Sequence, residues 1–138
     1  MTTSQTVESR CPAHQLALEA ETVLAAIDKL HADPDEIGGA RDRRLHQRLD
    51  AIELQASYTQ PTSAAGAIYL MLVAYGRFNV IENSICASEY HRDVDVGVIE
   101  RCQHNALRFF EATHRVTLPR ARDYHSGPDP TALLDDAA

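Results

Sequence analysis

Apolar residues recur along this chain at alternating spacings of four and three, the pattern of helices that each turn one face to a core. The first stripe is Leu16, Ala20, Val23, Ile27 and Leu30, with Glu19, Glu21, Asp28 and Lys29 falling elsewhere. Pro12 suits a first helical turn, where its missing N–H costs nothing. A helix is therefore predicted from about Pro12 to about His31. Asp33-Pro34-Asp35-Glu36 reads as a second helix start, with Asp33 as cap, Pro34 at the first position and Glu36 completing a capping box. Gly38-Gly39 weakens whatever begins there. Either a short turn precedes the second long helix, or that helix carries a soft spot. Its clear part runs from residue 41 to about 59, with Leu45, Leu49, Ile52 and Ala56 in line.

Pro61 ends this second helix, because the residue before proline avoids helical geometry. Thr62 or Ser63 can cap the third. No charged residue stands between Glu53 and Arg77, and residues 64 to 76 are apolar or small on every side of a helix. A helix apolar all round must be covered all round. Met71, Ala74, Phe78, Ile81 and Ile85 are expected to face inward, and Tyr69, Val73 and Gly76 to be left outside. A turn is expected near Arg92–Asp95, with Asp93 or Asp95 as cap. The fourth helix then runs to about His114, with Ile99, Cys102, Ala106, Phe109 and Thr113 inward.

From Thr117, the residues Pro119, Gly127, Pro128 and Pro130 break any long helix. The end, TALLDDAA, can form one turn presenting Leu133 and Leu134. No run alternates with period two. The reading is all-α: an antiparallel four-helix bundle over residues 11–116, with a flexible leader at 1–10 and a mobile or docking tail at 117–138.

Composition narrows the function without giving it. A chain of 138 residues is one domain's worth. The formal net charge of −7 argues against a phosphate-binding surface. The polar start lacks a signal core, and the longest apolar run falls short of the roughly twenty residues that span a bilayer, so a cytoplasmic protein with no membrane contact is expected. Cys11, Cys86 and Cys102 are odd in number and far apart, which is no disulfide framework.

Seven histidines invite a metal reading. Di-metal bundles need two Glu-x-x-His pairs and two further glutamates. Only Glu111–His114 fits, and neither residue lies on the inward stripe. Glu100/His104 and Asp42/His46 are one turn apart, a spacing that equally describes solvent-facing pairs. Cys11-Pro12 is too short a motif to indicate haem. The basic cluster Arg41, Arg43, Arg44 and Arg48 could meet nucleic acid or an acidic partner, but no aromatics are interleaved with it. No catalytic, cofactor-binding or metal-binding residue is assigned, and no cofactor is expected.

The junction Pro61-Thr62-Ser63-Ala64-Ala65-Gly66 resembles the Pro-Thr-Thr/Ser-x-x-Gly turn that links two helices in short bacterial all-helical proteins of no established activity. The resemblance implies a bacterial origin and an all-helical fold, and brings no functional residue. The third helix carries the functional expectation. Gly66, Ala67, Ala74 and Gly76 would let another helix approach closely. Its cover is expected to be the same helix of a second subunit, or else the tail through Leu118, Tyr124, Leu133 and Leu134. The chain is read as a non-enzymatic interaction module acting as a homo-oligomer. The alternatives are a small-ligand or metal-binding bundle, and a nucleic-acid regulator using the Arg41–Arg48 face.

Overall fold

The structure is a computed structural model that describes residues 10–83, 88–116 and 118–126. Among these residues the helices are α1 (Pro12–His31), α2 (Ala40–Ser57), α3 (Ala64–Asn83), α4 (Glu89–His114) and α5 (Pro119–Ser126), with a 3-10 turn at Pro34–Glu36. Among the described residues there is no strand. The all-α reading and the four long helices stand.

Local chemistry places each boundary. Pro12 opens α1, as expected. Asp33 caps the 3-10 turn, accepting from the Asp35 N–H at 3.0 Å, so a short turn does precede α2. Gly38 then takes a left-handed conformation with φ of 77°, which lets the chain turn into α2 behind the Gly39 cap. The expected turn near Arg92–Asp95 is corrected. Ser88 caps α4 by accepting from the His91 N–H, and the helix runs unbroken through Gly97. Asp95 is engaged by a charge from α3 instead of capping. Ile85, expected inward on the third helix, lies outside the described residues. Arg115, with φ of 52°, ends α4 and turns the chain into α5, a helix the proline and glycine pattern did not predict.

Successive long helices are antiparallel hairpins, α1–α2 and α3–α4. The hairpins pack with α1 against α3 and α2 against α4, while α2 and α3 touch little. The helix starts of α1 and α3 meet, where the Thr62 N–H donates to Cys11 Sγ at 3.3 Å. The core is built from Leu16, Ala20, Val23 and Ile27 of α1, Ile52 and Ala56 of α2, and Val98, Cys102 and Ala106 of α4. Thr113, expected inward, is exposed. Asn105, not expected, is buried at the end of α2. It accepts from Gln60 Nε2 at 2.9 Å and donates to the Ser57 carbonyl at 3.2 Å, so its amide is partnered on both sides.

The third helix turns a different face inward from the one expected. Gly66, Ala67, Leu70, Val73 and Ala74 are buried. Met71 and Phe78, expected inside, are exposed, whereas Val73, expected outside, is in the core and Tyr69 is half-buried. Two contacts set this rotation. At one end Gly66 lies against α1, where an added Cβ would stand 2.7 Å from Cys11 Sγ and 3.0 Å from Ala13 Cβ. At the other end Arg77 reaches carboxylates of α2 and α4. Residues 66, 70, 73 and 77 lie on one helical line. The inner seam therefore begins at a glycine and ends at an arginine.

Candidate functional site

The rotation of α3 leaves five of its large apolar residues exposed. Ile68, Met71, Leu72, Tyr75 and Phe78 are each between 43% and 68% exposed. Their spacings of three and four place them on one stripe. A soluble helix normally keeps charged or polar residues on that side. Here the stripe carries no charge until Glu82 at its C-terminal end.

The inner end of the same helix is ionic. Arg77 donates through Nε to Glu53 Oε2 at 2.8 Å and through one terminal nitrogen to Asp95 Oδ1 at 2.8 Å. Its other terminal nitrogen pairs with Glu53 at 2.8 Å and with Asp50. Burial works against the Arg77 charge, but the Asp95 hydrogen bond and the Glu53 and Asp50 charges hold its pKa above the usual value. Burial pushes the Glu53 carboxyl up, against the pull of Arg77. The Tyr69 hydroxyl is buried without a hydrogen-bond partner, and burial raises its pKa too. The Cys102 thiol nearby is pushed up to about 12, chiefly by burial, and is inert as a nucleophile.

Cys11 differs. Burial raises its pKa, but hydrogen bonds from Ser63, Thr62 and the His14 N–H overcome that and hold it at about 6. The sulfur is fully buried and serves as an acceptor joining two helix starts.

The candidate metal pairs do not converge. Asp42 is buried and fully engaged: it accepts from the Gly38 N–H at 2.8 Å and from His31 Nε2 at 2.7 Å, with His46 Nδ1 3.1 Å away. His31 and His46 stack at 6.0 Å between centroids. The backbone hydrogen bond from Gly38 and that from His31 hold the Asp42 carboxyl below the usual range. This cluster staples the end of α1 to the start of α2. Glu111 pairs with Arg122 of α5 at 3.2 Å, whereas His114 stacks on Phe110. Glu100 is exposed, while His104 lies 3.5 Å from an Arg122 nitrogen. Among the described residues no group of three ligating side chains is placed to hold a metal ion. Of the basic cluster, Arg43 donates to the Gly38 carbonyl at 2.8 Å; Arg41, Arg44 and Arg48 are exposed on α2.

One apolar groove lies where α5 folds back on the last turns of α4. Leu107, Phe110, Val116, Leu118 and Ala121 line a space of about 400 Å³, with the Glu111–Arg122 pair at its edge. Sequence reasoning missed this groove because it depends on α5. It also missed His31 and Arg77, whose partners are distant in the chain.

The tail does not cover α3 among the described residues. Leu118 and Tyr124 are exposed, and the paired contact of α5 is with α4. Leu133 and Leu134 lie outside the described residues. Length does not exclude a membrane, contrary to expectation. At 20 residues α3 is long and apolar enough to cross a bilayer, although its inner side is core and Arg77 ties it to three carboxylates. Compared with known proteins, the chain matches no protein family, no curated protein and no solved structure.

Proposed function

We propose that this protein is a non-enzymatic interaction module whose working surface is the outer face of α3. The observation that carries this reading is the stripe of Ile68, Met71, Leu72, Tyr75 and Phe78, exposed on a helix whose other side is fully engaged by the bundle. Contiguous apolar patches of this kind mark surfaces that work against another molecule. The candidate chemical groups support the same reading from the other direction, because Asp42, Arg77 and Cys11 are each occupied in joining helices.

The test is hydroxyl-radical footprinting of Met71, Tyr75 and Phe78 in intact cells and in dilute purified protein. Protection of these residues in cells supports a working interface, whatever covers it. Equal modification in both settings overturns it.

A second reading, a small-ligand bundle, draws on the α4–α5 groove. Its size and apolar lining suit an apolar molecule with one polar group for Arg122 or Glu111. An environment-sensitive apolar dye checks it: brightening that is lost when Phe110 is replaced by Asp supports it, and no brightening removes it.

A further inference from the structure

We infer that the occupant of the α3 face is the α3 helix of a second copy, packed antiparallel about a two-fold axis at the level of Val73. The inference rests on the interaction-module reading and names its partner. Ile68, Met71, Tyr75 and Phe78 take the two apolar positions of a seven-residue repeat, with Leu72 beside them. Such a seam is complementary to itself. A two-fold interface requires that property, because the same patch must serve on both sides.

Area and charge agree with this occupant. Aromatic side chains carry roughly 150–250 Å² and the aliphatic ones fall near or below the lower end, so these exposures leave at most on the order of 500 Å² on each copy. Two copies would then bury at most about 1,000 Å², at the threshold for a specific but weak interface. Charge selects the orientation. A parallel pair sets Glu82 against Glu82 at the seam's end. An antiparallel pair centred at residue 73 brings Glu82 to the first turn of the partner's α3, which holds no acidic residue and where the positive end of the helix dipole favours a negative charge.

A membrane surface is the competing occupant, and the charges oppose it. Interfacial helices carry Lys and Arg on their polar side. The only basic residue in α3 is Arg77, which is turned inward onto three carboxylates, and the chain's net charge is −7.

The experiment combines sedimentation equilibrium with cysteine cross-linking in a Cys86→Ser background. The native chain should pass from 15.3 kDa towards twice that mass as its concentration rises through the micromolar range. With a rise of about 1.5 Å per residue, an antiparallel pair offsets the two residues 72 by about 3 Å and the two residues 68 by about 15 Å. Leu72→Cys should therefore form a covalent dimer under mild oxidation, and Ile68→Cys should not. Efficient cross-linking of both indicates a parallel pair and overturns the orientation. A mass that stays at that of the monomer up to several hundred micromolar overturns the second copy as partner. Flotation of that monomer with anionic vesicles would assign the face to a membrane. Protection of Met71 in cells, with a monomer in vitro and no flotation, would keep the interaction reading while removing this occupant.

Discussion

The two sides of α3 differ in what they contain and in what they do. The inner side is built from Gly66, Ala67, Leu70, Val73, Ala74 and Arg77, mostly small residues with one ion at the end. The outer side holds Ile68, Met71, Leu72, Tyr75 and Phe78, all large and all uncharged. A rule that places the largest hydrophobes inside would choose the wrong side. Close approach decides instead. The small side lets α1 and α3 meet at Cys11 and Gly66, and it leaves room for Arg77 to bind carboxylates from two other helices. The difference teaches that size and burial separate when a helix has two surfaces to serve.

The largest effect should come from the ionic end of the inner side. Arg77→Met leaves Glu53 and Asp95 half-buried without their cation, and should cost roughly 3 kcal/mol of unfolding free energy. Urea denaturation measures it. A loss under 1 kcal/mol would show that Arg77 does not anchor the inner seam.

The two glycines of α3 sharpen the comparison, because one substitution should act with opposite signs. Gly→Ala in a helix interior ordinarily stabilises by roughly 0.5–1 kcal/mol. At Gly66 the new Cβ meets Cys11 Sγ at 2.7 Å, so Gly66→Ala should destabilise, by about 2 kcal/mol. At Gly76 nothing lies within 4 Å, and Gly76→Ala should stabilise by the ordinary amount. Thermal or urea unfolding of both variants would break the account if the two shifts shared a sign.

The inner side was hard to read in the chain for a physical reason. The four-three spacing of α1 and α2 gave their faces directly, since Leu16, Ala20, Val23, Ile27, Ile52 and Ala56 are all buried. In α3 every face is apolar, so periodicity carries no information about rotation. The deciding signals were Gly66 and Arg77, which a hydrophobic pattern discards. Their partners, Cys11, Glu53 and Asp95, are remote in sequence and were brought together only by the fold. His31 with Asp42 was unreadable for the same reason. The excess of apolar surface on the third helix was legible before its orientation was.

A smaller effect should appear in acid. The Asp42 carboxyl is held below its usual value, so its folded pKa lies under the unfolded value of about 3.9. Its stabilisation is complete above about pH 4 and is lost as pH falls through the lower folded value. Asp42→Asn should therefore weaken the protein at neutral pH and flatten the decline of stability below pH 4. Glu53 works with the opposite sign, because its pKa is raised, so it cannot produce that decline. An Asp42→Asn curve parallel to the native one would remove this role for the His31–Asp42–His46 staple.

The smallest effect on folding is also the most informative about the outer side. Leu72 is 62% exposed, so Leu72→Glu should change the unfolding free energy of the dilute chain by no more than about 0.5 kcal/mol. In an association interface the same substitution places two charges near the axis. Light scattering across a concentration series is the decisive measurement. The native chain should rise above 15.3 kDa with concentration while folded Leu72→Glu remains at that mass. A Leu72→Glu variant that follows the native mass curve at every concentration would contradict the division of α3 into a folding side and an interaction side.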